Sequence, residues 1–200
     1  NAPPVIVGID TNSSPLIGGA MITMSGTGFM PGAIVEIGGA PCGSVTVANS
    51  NMRKCTTSPN SAGPKTITLT NPDSQLANYA GVFTYRESFV SIWEISAPGE
   101  MITLPLASGL NYDFTVQWGD GAVDRITSFS SLQKTHEYLS PGIYTITING
   151  LVEGWNFSTT PDSKLKLKTV ENFGDMGWKN LNYAFYGCSN LTSFAGGVTT

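Results

Sequence analysis

Tryptophan and tyrosine side chains are the residues of this sequence best suited to bind a ligand at a surface. Flat aromatic rings stack against sugar rings or fill the centre of a protein interface. Trp118 follows Phe114 and Val116 in an alternating run, which predicts a core position. Two other tryptophans stand beside glycine and polar residues, which makes them the better candidates for an exposed binding position, with core packing as the alternative. The candidate ligand-binding residues are these two tryptophans and two nearby tyrosines: Trp155, Trp178, Tyr183 and Tyr186.

The sequence offers little for catalysis. His136 is the single histidine, and triad chemistry also needs a nucleophile and an orienting acid at matching positions. Ser131 and Lys134 match Ser-x-x-Lys, a spacing that chance supplies in so Ser-rich a chain. A carboxylate pair for glycoside hydrolysis stays open among the 14 acidic residues, although no motif points to one. We therefore predict that the chain is not an enzyme and has no catalytic residue.

The run Trp118-Gly-Asp-Gly121 raises the question of a calcium loop, because Asp113 and Asp124 lie near Asp120. Calcium takes six to eight oxygen ligands, and no clustered run of carboxylates supplies them. Aspartate side chains also accept hydrogen bonds from backbone N–H groups in glycine-rich turns. We prefer the turn interpretation and predict no metal site and no cofactor.

Two of the three cysteines lie close together in the sequence. Cys42 and Cys55 flank the run Ser44–Val47, which suits a disulfide formed in an oxidising compartment. A bridge over so short a loop would stabilise the fold by about 3 kcal/mol. The alternative is a pair of buried thiols. For Cys188 we expect a packed, inert thiol rather than a nucleophile.

Composition excludes several functions. Charged residues make up 12% of the chain, the net charge is −4, and the only basic cluster is Lys164–Lys168, which argues against nucleic-acid binding. No apolar run reaches the ~18 residues of a membrane span, so we expect no membrane insertion. The start Asn-Ala-Pro-Pro is not a signal peptide, but it fits a processed end and leaves secretion open. With 20 Ser, 22 Thr and 14 Asn, the surface is polar and mostly uncharged.

Short alternating runs between turn residues predict β-strands along most of the chain. In the first part the predicted strands are Val5–Ile9, Met21–Gly26, Ile34–Ile37, Ser44–Val47, Lys65–Thr70 and Gly81–Tyr85. This number of strands within about 86 residues fits one small β-sandwich. A second β segment follows over residues 89–157, where Phe114–Trp118 and Tyr144–Ile148 alternate in the same way.

Several motifs of the first segment occur together and in a characteristic order. They include Pro4-Val-Ile-Val-Gly-Ile-Asp10, Ser14 to Phe29, Gly32 to Cys42, Cys55-Thr-Thr-Ser-Pro59, Thr70-Asn-Pro-Asp-Ser74 and Phe83-Thr-Tyr85. With them, residues 3–86 closely resemble an IPT/TIG domain, which implies an immunoglobulin-like sandwich. Within it, Gly26, Gly28 and Gly32 are predicted at turns that need positive φ.

Motifs of the second segment point to a different family. The combination Trp118-Gly-Asp-Gly121, His136-Glu-Tyr138 and Ser140 to Ile148 resembles a polycystic-kidney-disease-type (PKD-like) sandwich. From Phe89 onward, the segment more closely resembles the N-terminal part of BspA-like leucine-rich-repeat proteins of bacterial surfaces.

The last forty residues carry one repeat. Val170–Phe173 recurs as Leu191–Phe194, 21 residues later, and the string from Ala184 to Phe194 resembles the BspA-like repeat. Asn180–Gly187 is predicted as its helical side, with Leu181 and Phe185 on one face. Because about three repeats are needed for independent stability, either the natural protein continues beyond Thr200 or this unit caps the preceding sandwich. The glycine-rich end at 196–200 favours a truncation.

We thus predict a mainly β chain: an immunoglobulin-like β-sandwich, a second PKD-like β-sandwich, and a short leucine-rich-repeat-type segment. The predicted boundaries are 1–86 for the IPT/TIG sandwich, 87–157 for the PKD-like β domain of BspA-like type, and 158–200 for the truncated start of the repeat segment.

The resemblance implies a non-enzymatic adhesin or recognition module on a bacterial cell surface. Its expected partner is a glycan or protein on the surface of another cell. One alternative is a structural tip or stalk segment of an oligomeric fibre, which predicts a homo-oligomer such as a trimer. Another alternative is an accessory domain of a secreted glycan hydrolase. Fold alone does not decide between these.

Overall fold

The computed structural model describes residues 2–160 and 162–195 and shows a mainly β chain. It divides into two compact units, Asn1–Arg86 and Glu87–Thr200. Within the described ranges, the only helices are the single 3₁₀ turns Leu132–Lys134 and Phe157–Thr159. No helix in those ranges is long and apolar enough to cross a membrane. The predicted truncated end at 196–200 lies outside the described residues.

The first unit is built from short strands. They are β1 (Val5–Ile9), β2 (Ser13–Pro15), β3 (Met21–Thr27), β4 (Ile34–Ile37), β5 (Ala40–Pro41), β6 (Gly43–Asn49), β7 (Met52–Thr56), β8 (Gly63–Lys65), β9 (Ile67–Thr70), β10 (Leu76–Asn78) and β11 (Phe83–Arg86). They form sheets of order β1-β3-β7-β6, β10-β9-β4-β5 and β2-β11-β8. These sheets are consistent with an immunoglobulin-like sandwich.

Alternation along the strands creates the core of the first unit. In β9, Ile67 and Leu69 are buried while the threonines between and after them are not, as the period-2 pattern predicts. Buried residues from different sheets share this core: Ile22, Met24, Val35, Ile37, Cys55, Phe83 and Tyr85. The predicted strand Lys65–Thr70 is wrong in one respect, because the chain leaves one sheet after Lys65 and enters another at Ile67.

Two of the three predicted turn glycines have the expected backbone. Gly28 and Gly32 have φ values of 72° and 83°, which favour glycine. Gly26 does not have positive φ and is required for another reason. A Cβ at this position would collide with the Val5 carbonyl and the Phe29 ring, so Gly26 permits close packing of β1 on β3.

A disulfide joins Cys42 and Cys55, whose Cα atoms are 5.7 Å apart. Cys55 lies buried on β7, and Cys42 lies between β5 and β6. The bond therefore links the loop entering β6 to the strand with which β6 pairs.

The second unit continues with longer strands. They are β12 (Phe89–Ile95), β13 (Glu100–Thr103), β14 (Tyr112–Gln117), β15 (Val123–Ile126), β16 (Thr135–Tyr138), β17 (Gly142–Val152), β18 (Leu167–Asn172) and β19 (Ser193–Phe194). One sheet has the order β15-β14-β17-β12-β18-β19, and β13 pairs with β16. A single apolar cluster, extending along the chain from Phe89 to Cys188, fills this unit.

The segment that follows residue 157 joins this sheet through β18. β18 pairs antiparallel with β12 and parallel with β19. Val170 lies opposite Phe194, 24 residues further along, and Thr169 lies opposite Ser193. A turn closed by a hydrogen bond from the Leu191 amide to the Cys188 carbonyl precedes β19.

The predicted helix over Asn180–Gly187 is wrong. The segment is a series of turns, in which the amides of Ala184 and Tyr186 donate to carbonyls three residues earlier. Tyr183 has φ of 58°, in the left-handed region, and this interrupts any right-handed helix.

Candidate functional site

Trp155 does not lie on the surface, which corrects its selection as a candidate ligand-binding residue and agrees with the alternative of core packing. Its side chain is fully buried, with ring centroids 5.1 Å from Phe89 and 6.1 Å from Phe157. Its segment is held between two others, because residue 155 bridges to Leu106 and residue 154 to Asn180. A side chain that solvent does not reach cannot stack on a ligand, so we leave Trp155 out of the candidate surface.

Trp178 is half-buried and packs against the edge of the core. Its ring stacks on Phe173 with centroids 4.8 Å apart, and its indole N–H donates to the Gly174 carbonyl at 3.2 Å. Both its ring face and its polar atom are therefore occupied by the protein. Trp118 is fully buried, as its alternating run predicts.

Tyr183 and Tyr186 present their aromatic rings to solvent, as Phe194 does at 49% exposure nearby in the sequence. Their side chains are 61% and 58% exposed, and their ring centroids are 5.6 Å apart with planes at 88°. The two rings thus form two walls at a right angle. Their role in binding stays a prediction, but the structure brings them together.

The loop that carries the tyrosines is attached to the core by buried side chains and by a main-chain hydrogen bond. Ala184 and Cys188 are buried, and Phe185 packs against the core, with its ring centroid 6.2 Å from that of Phe173. The Tyr183 carbonyl accepts a hydrogen bond from the Phe157 amide at 3.0 Å. The exposed rings therefore project from a backbone held by buried side chains and a main-chain hydrogen bond.

Tyr183 has an unfavourable backbone conformation for its type. Left-handed φ is uncommon for residues other than glycine, asparagine and aspartate, and is most unusual for bulky side chains. Such outliers persist only where the surrounding structure imposes them, and they concentrate at functional sites. The strain at Tyr183 therefore supports a role for this ring beyond packing.

A lysine completes the surface. The Nζ atom of Lys164 lies 6.0 Å from the centroid of the Tyr186 ring, on the outer limit of a cation–π contact. Its chain passes over Gly187, where a Cβ would stand 3.1 Å from Cδ of Lys164. We call Tyr183, Tyr186 and Lys164 the tyrosine surface.

The Cys188 thiol lies in the same loop as the two tyrosines, and burial and the charge of Lys164 shift its pKa in opposite directions. Burial raises the pKa of the Cys188 thiol to about 11, although the positive charge of Lys164 opposes this. The thiol therefore stays protonated near neutral pH and is inert, as expected for a packed cysteine.

The Trp118–Gly121 turn forms a structural unit of its own. The His136 ring stacks on Trp118 with centroids 4.9 Å apart, and its Nε2 lies 2.7 Å from an Asp120 carboxylate oxygen. Partial burial works to raise the pKa of Asp120, but hydrogen bonds from His136 and the Ala122 amide outweigh it, so this pKa is lowered. The pair ties the turn to β16, and no group of three or more metal-ligating side chains occurs in residues 2–160 and 162–195.

Comparison with known proteins identifies the first unit. Residues 4–85 match the family model of the IPT/TIG domain. The chain contains an IPT/TIG domain. Human fibrocystin-L is 25% identical to the chain over 223 aligned residues, which cover 100% of this chain and 5% of the relative. The chain thus spans a small fraction of the length of that curated relative.

Solved structures give weaker likenesses. The extracellular region of plexin A4 matches with 17% identity and a TM-score of 0.43, over 73% of this chain and 15% of that one. SGBP-B from a xyloglucan utilization locus of Bacteroides uniformis matches with 12% identity and a TM-score of 0.38, over 72% and 60%. All these scores lie below 0.5, so neither a ligand nor a site is taken from them.

Sequence reasoning missed Lys164 as part of this surface. The sequence shows that Lys164 is one of three lysines in the alternating run Lys164–Lys168. It does not show which of the three lies near a carboxylate and which lies near an aromatic ring. Only the folded chain shows that this lysine lies beside Tyr186.

Proposed function

We propose that this chain is a non-enzymatic, extracellular recognition module of a bacterial surface protein and that it binds a cell-surface glycan through the tyrosine surface. The observation that carries the proposal is the pair of exposed tyrosine rings at a right angle, held by an anchored loop. Rigid tyrosines bind at low entropic cost, because each has only two side-chain torsions to fix.

The size of the surface favours a glycan over a protein. A stable protein interface buries about 800 Å² on each partner around a desolvated apolar centre. Here two exposed aromatic rings stand beside a lysine, and the exposed residues Asn180 and Asn182 are close to them in the sequence. A few apolar faces framed by hydrogen-bonding groups suit a ligand of one or two sugar rings, which itself has apolar faces and polar edges.

The extracellular, bacterial assignment rests on two further observations. A Cys42–Cys55 disulfide is typical of proteins that fold in oxidising compartments. The parallel pairing of β18 with β19, 24 residues apart, supports a leucine-rich-repeat-type unit. Its BspA-like character and the PKD-like sandwich before it rest on the sequence resemblance. In this proposal, residues 158–200 cap the segment 87–157, and residues 1–86 form the IPT/TIG sandwich.

The test is binding of the fluorescently labelled chain to whole bacterial and host cells and to immobilised envelope glycans. We expect saturable binding that Tyr186→Ala weakens about tenfold, equivalent to about 1.4 kcal/mol, because the variant loses the aromatic face on which a sugar ring would stack. Thermal unfolding should change little, because the ring is exposed. Leu132→Ala, which removes an 85% exposed apolar side chain elsewhere in the same unit, is the matched control.

Equal binding by the wild type and Tyr186→Ala would contradict the proposed surface. Binding of the chain to cells that persists after their surface glycans are removed, but is lost after their surface proteins are digested, would favour a protein partner. Concentration-independent trimers in light scattering, with no binding, would favour the fibre alternative. Release of sugars from any polysaccharide by the chain would favour the glycan-hydrolase alternative.

A further inference from the structure

The three lysines of the run Lys164–Lys168 have different electrostatic partners. Lys168 lies 2.7 Å from a carboxylate oxygen of Glu94, and Lys166 lies 3.9 Å from one of Glu100. Both charges are therefore balanced within the fold. Lys164 forms no ion pair with any carboxylate in the described ranges, although the chain carries an excess of acidic residues.

The position of Lys164 is constrained by its neighbours. Its side chain is half-buried, passes over Gly187, and ends near the Tyr186 ring. Gly187 has φ of 72° and leaves room for this path, since a Cβ there would stand 3.3 Å from the lysine nitrogen. A lysine held in this way loses little side-chain entropy when it binds an anion.

An unbalanced cation beside exposed aromatic rings selects for ligands that carry a negative charge. Ammonium–carboxylate hydrogen bonds are roughly twice as strong as neutral ones. We propose that the tyrosine surface is specific for acidic glycans: a tyrosine ring stacks on the sugar while Lys164 binds the carboxylate of a uronic or sialic acid residue. This specificity rests on the proposed glycan-binding function and adds the class of ligand.

The experiment compares acidic glycans with their neutral counterparts. The probes are polygalacturonate with its methyl ester, and sialyllactose with lactose, titrated into the full chain at low and at physiological salt. We expect the acidic member of at least one pair to bind about tenfold more tightly, with a preference that falls as salt rises. Lys164→Gln should remove the preference, and Lys164→Arg should retain most of it.

Lys168→Gln is the matched control, because it removes an equal charge four residues away that Glu94 already balances. It should leave the preference unchanged. Circular dichroism and thermal unfolding of each variant separate loss of binding from loss of the fold.

The outcomes separate this inference from the proposed function. Equal binding of acidic and neutral members, abolished by Tyr186→Ala, would overturn the charge specificity and leave glycan binding intact. A preference for acid that Lys164→Gln retains would also overturn the role of Lys164. Binding of no probe, together with no binding to cells or envelope glycans, would overturn both.

Discussion

At the scale of single residues, Tyr183 combines an unfavourable backbone conformation with a side chain exposed to solvent. A bulky residue with φ of 58° is strained, and its ring is 61% exposed, so packing of the ring explains little of the conformation. Proteins retain such strain at binding surfaces because selection acts on function as well as stability.

We therefore predict that Tyr183→Asn raises the free energy of unfolding by up to about 1 kcal/mol while weakening glycan binding. Asparagine tolerates the left-handed conformation, so the strain is relieved, but it offers no ring for stacking. Denaturant unfolding and a binding titration on the same sample measure the two effects. A clear loss of stability would instead show that the Tyr183 ring supports the fold.

The burial of a single residue can be predicted from the sequence where it follows the alternation of a strand. It cannot be predicted where it depends on how distant segments pack against the residue. Trp118 lies in an alternating strand, and burial follows from that pattern. The glycine and asparagine neighbours of Trp155 make it a candidate for exposure but do not decide between a surface and a core position. It is buried because the 153–157 segment runs between Leu106 and Asn180, a placement that no local pattern encodes.

At the scale of elements, the turn after β14 is held by hydrogen bonds to the Asp120 carboxylate. Asp120 accepts hydrogen bonds from His136 and from the Ala122 amide, so its carboxylate is stabilised in the folded state. The lowered pKa means that Asp120 stabilises the fold at pH values above its unfolded pKa. That contribution is lost as pH falls through the lower, folded pKa.

The predicted result is a free energy of unfolding that decreases as the pH is lowered below about 4. Asp120→Asn should be less stable than the wild type at neutral pH and should show a shallower decline in acid. Urea unfolding across a pH series measures both. Asp73→Asn, in an exposed turn of the first unit, is the control. An acid decline as steep in Asp120→Asn as in the wild type would contradict the assignment.

Strands could be predicted from the sequence because alternation reports directly on the two faces of a sheet. β1 and β4 have the bounds that their apolar patterns predict. The helix predicted over Asn180–Gly187 failed because spacing of Leu181 and Phe185 is compatible with turns as well as with a helix. The left-handed Tyr183 decides between them, and no rule for tyrosine predicts it.

At the scale of the whole molecule, the second unit folds around one core that includes residues of the segment 158–195. Leu167, Val170 and Met176 are fully buried in the same cluster as Phe89 and Trp93. Burying each such side chain contributes about 1.5–3 kcal/mol, and domains are stable by only about 5–15 kcal/mol in total. The segment 158–195 therefore contributes a substantial share of the core of this unit.

We predict that residues 87–157 alone do not fold cooperatively, whereas residues 87–200 do. Near-ultraviolet circular dichroism and amide chemical-shift dispersion distinguish the two states. Removal of 158–200 also deprives β12 of its pairing with β18, which adds unpaired backbone to the exposed apolar surface. A well-folded 87–157 fragment would show that the repeat segment is an independent addition.

The measurement that tests the central claim most directly is a nuclear magnetic resonance titration of the isotope-labelled chain with the tightest-binding glycan from the cell-envelope and acidic panels. The account predicts that the largest changes in chemical shift occur at Tyr183, Tyr186 and Lys164, and that Tyr186→Ala removes them. Largest changes within residues 1–86, or changes that persist in Tyr186→Ala, would contradict it.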